Sequence, residues 1–172
     1  MNETISRRSI RHREGFIGAV SAGCFLILVG LIFATTSGLF TNVIDFFKNF
    51  DVIEVSRTGI FLPAPKNPNT QYAANVYDAV SLFSLIWGFF QIAFLGLRFA
   101  FNSPAGKKAE NAGNVVFWFG TYYLVNIYLI GMPLILSEAQ KSWFSFWAML
   151  ISLIGVTLIV RALVLAVLPR NP

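Results

Sequence analysis

Four apolar segments separate the charged residues of this chain of 172 residues. About 20 apolar residues in a helix cross a hydrocarbon core of about 30 Å, because each helical residue rises ~1.5 Å. A backbone inside lipid must also satisfy its own hydrogen bonds, which favours helices. The sequence therefore predicts an all-α membrane protein, a bundle of four transmembrane helices. The predicted spans are residues 15–36, 72–101, 114–136 and 143–168.

The segments between the spans are too short to hold a soluble domain. Charged residues make up only 12% of the chain, whereas soluble domains carry roughly a quarter. We therefore predict a single integral membrane domain over residues 1–172, with the lipid bilayer as its surroundings. We expect no nucleic-acid partner, and a small-molecule or lipid ligand stays an open question.

Basic residues are unequally divided between the two sides of the predicted bundle. One side holds the tails 1–14 and 169–172 and the loop 102–113, and its basic residues are Arg7, Arg8, Arg11, Arg13, Arg98, Lys107, Lys108, Arg161 and Arg170. The other side holds residues 37–71 and 137–142, with Lys48, Arg57, Lys66 and Lys141. Because basic loops stay in the cytoplasm, we predict a multi-pass protein of the cell membrane with cytoplasmic N- and C-termini.

The outer segment between the first two spans contains an amphipathic helix, predicted at residues 39–50. Its polar residues share one helical face, while phenylalanines and a valine fall on the other. We expect it to lie on the outer membrane–water interface; a cap over the bundle or a docking helix for a partner are the alternatives. Residues 51–61 alternate like a short strand, and the proline-rich residues 62–69 predict an extended return.

Small residues form a stripe along the first span and another along the fourth. Such residues let membrane helices approach closely. The stripes predict a compact bundle, while homo-oligomerisation and packing on a partner's helix are alternatives. The candidate packing residues are Ala19, Gly23, Gly30, Ala34, Ala148, Ser152, Gly155 and Ala162.

The third span is the most polar, with Tyr122 and Asn126 on one helical face. An asparagine in hydrocarbon needs a hydrogen-bond partner, so we expect Asn126 to face the bundle. The favoured partners are Ser81, Ser84 or Ser152. The alternative is a substrate path, or a site for a quinone or lipid headgroup, to which Gln91 of the second span would also contribute.

Three charged residues lie near the predicted membrane boundaries. Asp78 and Arg98 are 20 residues apart, about 30 Å along a helix, and are predicted to mark the outer and cytoplasmic edges. The alternative role for Asp78 is to anchor an outer cap through Arg57, Lys66 or Lys141. Arg161 either snorkels to the cytoplasmic edge or is buried, in which case Glu14 or Glu110 is the predicted partner.

The sequence contains one histidine, one cysteine and no pattern typical of catalytic, cofactor or metal sites. We therefore expect a non-catalytic protein, either an accessory or assembly subunit of a larger membrane complex or an oligomer. The alternative is a small transporter or channel that uses the polar face of the third span. A lipid or quinone enzyme or binding protein is a third hypothesis.

Overall fold

The computed structural model describes residues 2–55 and 58–168, with side chains from residue 14 onward. The chain is mostly helical. Its elements are α1 (Asn2–Thr35), α2 (Leu39–Lys48), β1 (Phe50–Glu54), β2 (Phe61–Pro65), α3 (Gln71–Ala100), α4 (Ala105–Leu124), a π-helical segment (Val125–Ile130) and α5 (Leu136–Val167).

Three helices are long and apolar enough to cross a membrane: residues Glu14–Thr35 of α1, all of α3 and all of α5. They correspond to the first, second and fourth predicted spans. α5 begins earlier than predicted, so the outer loop expected at residues 137–142 is helical. The sequence marks where apolar residues begin, whereas backbone hydrogen bonds decide where the helix begins.

The third predicted span, residues 114–136, differs from the structure at both ends. α4 begins at Ala105, inside the predicted loop, and its charged first turns exclude it from the strongly apolar helices. Helical structure ends at Ile130, where the Gly131 N–H donates to the Asn126 carbonyl at 2.9 Å. Pro133 follows outside the helix, because its ring favours an extended preceding residue.

The outer segment contains an antiparallel hairpin, with Val52 of β1 opposite Pro63 of β2. Just beyond the strands, the Lys66 N–H donates to the Asn49 carbonyl at 2.8 Å. In an antiparallel pair, the backbone N–H and C=O groups of every second residue point toward the partner strand. Pro63 and Pro65 belong to the residues whose backbone groups point away from β1, so no hydrogen bond between the strands is lost at either proline. The all-α prediction is therefore corrected to a mostly helical chain with one hairpin.

α2 presents two apolar rows in different directions. Leu39 and Phe46 are buried, and the helix packs on α3. Phe40 and Phe47 are 69% and 66% exposed. α2 therefore covers part of the helical layer while keeping an apolar surface toward its surroundings.

An aromatic cluster closes the end of the molecule that carries α2 and the hairpin, here called the hairpin end. Phe46 meets Tyr77 edge-to-face at 5.6 Å and Trp143 at 6.1 Å between ring centroids. All three are buried together with Leu124 and Leu129. The opposite end, which carries Arg98 and Arg161, is called the arginine end.

The long helices form an open layer. α3 packs against α1, α2 and α4, and α4 packs in turn against α5. Among the described residues, α1 and α5 make no extensive contact with each other. The compact four-helix bundle predicted from the sequence would need that contact, so the two outer helices of the layer leave a side open.

The predicted small-residue stripes do not hold these helices together. All of the predicted packing residues are exposed except the half-buried Gly23: Ala19, Gly30, Ala34, Ala148, Ser152, Gly155 and Ala162. A Cβ added at Gly23, Gly30 or Gly155 would meet nothing within 4 Å. α1 packs instead through larger residues, Ile17, Leu28 and Ile32, which lie on a different face.

The close helix approaches use other glycines. A Cβ at Gly120 of α4 would lie 2.5 Å from Leu153 Cδ1 of α5, and one at Gly88 of α3 would lie 3.1 Å from the Phe119 ring. Small residues therefore do bring helices together, but on α3 and α4, which form the middle of the layer.

Candidate functional site

A polar cavity of about 570 Å³ lies at the arginine end, with walls from α1, α3, α4 and α5. It lies between α1 and α5, which make no extensive contact with each other among the described residues. We call it the arginine cavity. Its charged and amide side chains are Gln91, Arg98, Glu110, Asn111, Asn114 and Arg161.

Arg161 points into this cavity from α5. Its Nη2 donates to Asn114 Oδ1 of α4 at 2.8 Å, and its buried Nε has no hydrogen-bond partner. Arg161 is half-buried, and the partner that its guanidinium reaches is an amide rather than a carboxylate. The four salt bridges among the described residues do not include Arg161, so neither Glu14 nor Glu110 pairs with it.

A missing side chain on α4 makes room for this arginine. A Cβ at Gly113 would lie 2.6 Å from Arg161 Nε and 2.7 Å from its Cγ. The arginine stem therefore lies across the α4 backbone at that glycine. The sequence alone gives no sign of this contact, because the two residues are distant in the chain and Gly113 belongs to no stripe.

Arg98 lines the cavity from the end of α3. Its Nη1 donates to the Lys107 carbonyl at 2.7 Å, and its Nε is buried without a partner. The role predicted for Arg98, a simple boundary marker, therefore leaves out this inward contact. Glu110 is the one carboxylate on the cavity wall, and the hydrogen bond from Lys107 holds its pKa below the ordinary value.

Two amides join the cavity walls. Asn111 of α4 is buried, and its Nδ2 donates to the Gln91 carbonyl of α3 at 2.6 Å. Gln91, a predicted path residue, is also buried and lines the cavity. Neither Asn111 nor Asn114 was predicted as a site residue. Asn111 fell in the predicted loop 102–113, and Asn114 is the first residue of the third predicted span, where its facing partner on α5 is not visible. Extending the helical period back to Ala105 places both on the inner side of α4.

The other predicted path residues lie outside the cavity. Asn126 Nδ2 donates to Ser81 Oγ at 2.8 Å and to the Tyr122 carbonyl at 2.8 Å. Ser81 is one of the three partners predicted for it. Tyr122 is half-buried on the same stretch of helix, and neither residue contributes to the cavity wall.

Asp78 is exposed on α3. It lies seven residues after Gln71, beyond the first turn, where the helix dipole has little effect. Two of its predicted cap partners are engaged elsewhere, Lys66 with Asp51 and Lys141 with Glu138. The third, Arg57, lies outside the described residues.

The arginine cavity has the chemistry of an anion site. Two guanidinium groups and two asparagine amides supply N–H donors. One carboxylate, that of Glu110, carries a negative charge that would repel an anion. Guanidinium groups recognise carboxylates and phosphates through paired hydrogen bonds. Within the part of the chain whose side chains are described, no group of three or more His, Cys, Asp or Glu side chains is placed to hold a metal ion.

Comparison with protein-family models, curated proteins and solved structures finds no match for this chain. The case for function therefore rests on the geometry of the cavity.

Proposed function

We propose that this chain is a non-catalytic, multi-pass membrane protein that binds an anionic group in the arginine cavity. It crosses the membrane four times, with both termini in the cytoplasm. Three helices are apolar enough to span, and the uncharged helical stretch 111–130, formed by α4 and the π-helical segment, is long enough for a fourth span. Because α4 packs between α3 and α5, it shares their layer.

The half-buried guanidinium of Arg161, which has an amide partner but no salt bridge, carries this proposal. A charge held away from bulk water costs free energy unless an opposite charge or a hydrogen-bond network compensates it. The protein supplies one amide oxygen at 2.8 Å, and none of the salt bridges among the described residues includes this arginine. Glu110 attracts it only from beyond salt-bridge distance. A bound phosphate or carboxylate would supply the missing charge and the missing acceptors.

The predicted orientation supports a ligand from the cytoplasmic side. The arginine end carries Arg98, Lys107 and Lys108, which the positive-inside rule assigns to the cytoplasm. The ligand is therefore either a cytoplasmic solute or the headgroup of a lipid in the inner leaflet. These sources share one chemistry, an anionic oxygen cluster.

The test measures stabilisation of the purified protein in a non-ionic detergent by glycerol phosphate and by anionic lipid. A ligand at 100 times its Kd stabilises a one-site protein by ~2.7 kcal/mol. We expect at least one probe to stabilise the unmodified protein, and Arg161→Gln to weaken its binding about tenfold. Lys108→Gln is the matched control, because it removes one positive charge at the same end without changing the cavity wall. Stabilisation by neither probe, or an equal loss in both variants, would contradict the proposal.

The proposal stops at binding and does not extend to transport. A transport path along the third predicted span would use Asn126, whose amide already bonds to Ser81 and to its own helix. The polar residues of the cavity lie on earlier turns of α4, at Asn111 and Asn114.

An accessory or assembly role is the second candidate, and the exposure of α5 favours it. Only 6% of the apolar stretch of α5 is buried, compared with 33% for α3. A partner's helix or a second copy would cover the small residues that lie exposed there. Size measurement after mild-detergent extraction tests this role: we expect a complex that Gly155→Leu disrupts, and a lone monomer would exclude it.

A further inference from the structure

We infer that the ligand is an anionic amphiphile whose headgroup occupies the arginine cavity and whose acyl chain occupies an apolar groove beside it. The inference rests on the proposed function and names the class of molecule that the site would take.

The groove lies between α1 and α3, toward the hairpin end, and has a volume of about 320 Å³. Its wall is apolar, and α2 contributes Leu39 and Val43 to it. Ser84 also lines it, but its hydroxyl donates to the Val80 carbonyl at 2.7 Å. Thr121 is a second hydroxyl residue of the wall, and its buried Oγ1 has no hydrogen-bond partner. Apart from this one hydroxyl the wall is apolar, so the groove suits a hydrocarbon chain better than a polar molecule.

The cavity and the groove are neighbours, with aromatic rings packed between them. Trp118 lines both spaces. It contacts Phe83 of the groove edge-to-face at 5.4 Å, and Phe83 stacks on Trp87 of the cavity at 6.1 Å. A chain that runs from the polar space to the apolar one would lie against these rings, which give it an apolar surface.

The spacing along α3 gives the length of chain that the ligand needs. Gln91 marks the inner part of the cavity, and Val80 lines the groove near Asp78, the predicted outer edge. The two residues are 11 positions apart, which corresponds to about 16 Å along the helix. An acyl chain attached to a headgroup at the level of Gln91 therefore reaches the groove when it extends about 16 Å, past the middle of the membrane.

The open side of the helical layer gives such a molecule a lateral entrance. α1 and α5 flank the cavity without extensive contact among the described residues. At this opening Phe25 of α1, which is 39% exposed, contacts both Phe83 and Trp87. A lipid can enter from the bilayer, whereas a solute without a chain gains nothing from the groove.

The test compares four probes by thermal shift in non-ionic micelles: lysophosphatidylglycerol, oleate, glycerol phosphate and the zwitterionic lysophosphatidylcholine. The two anionic lipids distinguish a phosphate headgroup from a carboxylate. Ala79→Phe fills the groove from α3, and Ala93→Phe is the matched control, because Ala93 is exposed on the same helix outside the groove.

We expect at least one anionic lipid to bind more tightly than lysophosphatidylcholine, and Ala79→Phe to weaken that binding about fivefold or more. Glycerol phosphate should bind to Ala79→Phe and to Ala93→Phe with the affinity that it has for the unmodified protein. Ala93→Phe should also leave the affinity for each lipid unchanged. If Ala79→Phe does not fold, Val29→Phe fills the groove from α1 and should have the same effect.

The outcomes separate the two proposals. Glycerol phosphate binding together with an anionic-lipid affinity that the groove variants do not change would overturn the amphiphile inference alone. Equal affinity for zwitterionic and anionic lipids would also overturn it. Failure of all anionic probes would overturn the proposed function as well.

Discussion

The hairpin end and the arginine end solve the same problem in different ways. Each buries N–H or O–H groups that lack a partner, namely the Tyr77 hydroxyl and Trp143 Nε1 at the hairpin end and the Nε atoms of Arg98 and Arg161 at the other. The hairpin end surrounds neutral groups with packed aromatic rings, while the arginine end places charged groups around a cavity. A neutral unpaired group costs about 1–3 kcal/mol, and a charged one costs more. The first end is therefore built for stability, and the second leaves room for the anionic ligand that we propose.

The largest effect should come from removing a large side chain from the aromatic cluster at the hairpin end. Trp143→Ala removes a side chain that is 5% exposed and central to the aromatic cluster, so we expect a loss of about 3–5 kcal/mol of unfolding free energy. Trp147→Ala, at a position 47% exposed on the same helix, should cost much less. Unfolding in mixed micelles with a denaturing detergent measures both. Equal losses would show that the cluster is not the stable part.

The next effect tests the contact in the middle of the layer. Gly120→Ala drives a Cβ to 2.5 Å from Leu153, and overpacking of this kind costs about 1–3 kcal/mol. Gly155→Ala is the control, because a Cβ there meets nothing within 4 Å. The same unfolding measurement should find the control neutral or slightly stabilised. A larger loss of unfolding free energy in Gly155→Ala than in Gly120→Ala would support helix packing through the predicted stripe on α5.

At the arginine end, a small change should affect binding more than stability. Gly113→Ala displaces Arg161 from its place across α4, so we expect the affinity for the anionic probe to fall about tenfold, or ~1.4 kcal/mol. Gly106→Ala, at an open position on the same helix, should leave the affinity unchanged. Titration of both proteins with the probe decides between them. Unchanged binding in Gly113→Ala would show that the position of Arg161 does not matter for anion binding.

A polar pair at the hairpin side of the layer gives a smaller effect on stability alone. Asn126→Ala removes the bond to Ser81, and hydrogen bonds between membrane helices contribute about 0.6 kcal/mol on average. A double-mutant cycle with Ser81→Ala isolates that contribution in the unfolding free energy. Anion affinity should stay constant in all three variants. Weaker binding in Asn126→Ala would extend the site beyond the arginine cavity.

The smallest effect concerns the charge that opposes the ligand. Glu110→Gln removes the carboxylate of the cavity wall, so anion affinity should rise about two- to fivefold at low salt and less at 0.15 M salt. Because Lys107 holds the pKa of Glu110 below its ordinary value, the carboxylate stays ionised at neutral pH. Its contribution to stability is present above the unfolded-state pKa and is lost as the pH falls through the folded-state pKa. With lysophosphatidylglycerol, whose phosphodiester keeps one negative charge, the ratio of the two affinities should therefore be constant between pH 6 and pH 8. A ratio that changes in that range would contradict this assignment.

The sequence predicted single-helix features well and contacts between helices poorly. Apolar length identified α3 nearly to the residue, because one chain segment contains all the information. The stripes on α1 and α5 show which residues share a face, but not which face turns inward. Gly113 and Arg161 come into contact because of the way α4 packs on α5. The cavity exists because α1 and α5 do not pack on each other. Neither arrangement can be read from a single segment of the chain. Asn126 could be placed inside because hydrocarbon offers its amide no other partner.

The hairpin also limits how another protein can attach at its end. Pro63 and Pro65 leave the free edge of β2 with few N–H donors, and the Val52 N–H on the free edge of β1 donates to Asp51 Oδ1 at 2.8 Å. Neither edge therefore offers a continuous row of groups for a third strand, so the sheet resists extension and aggregation through strand pairing. A partner that docks there must use side chains, and the exposed apolar ones available are Val52, Ile60, Phe61 and Leu62.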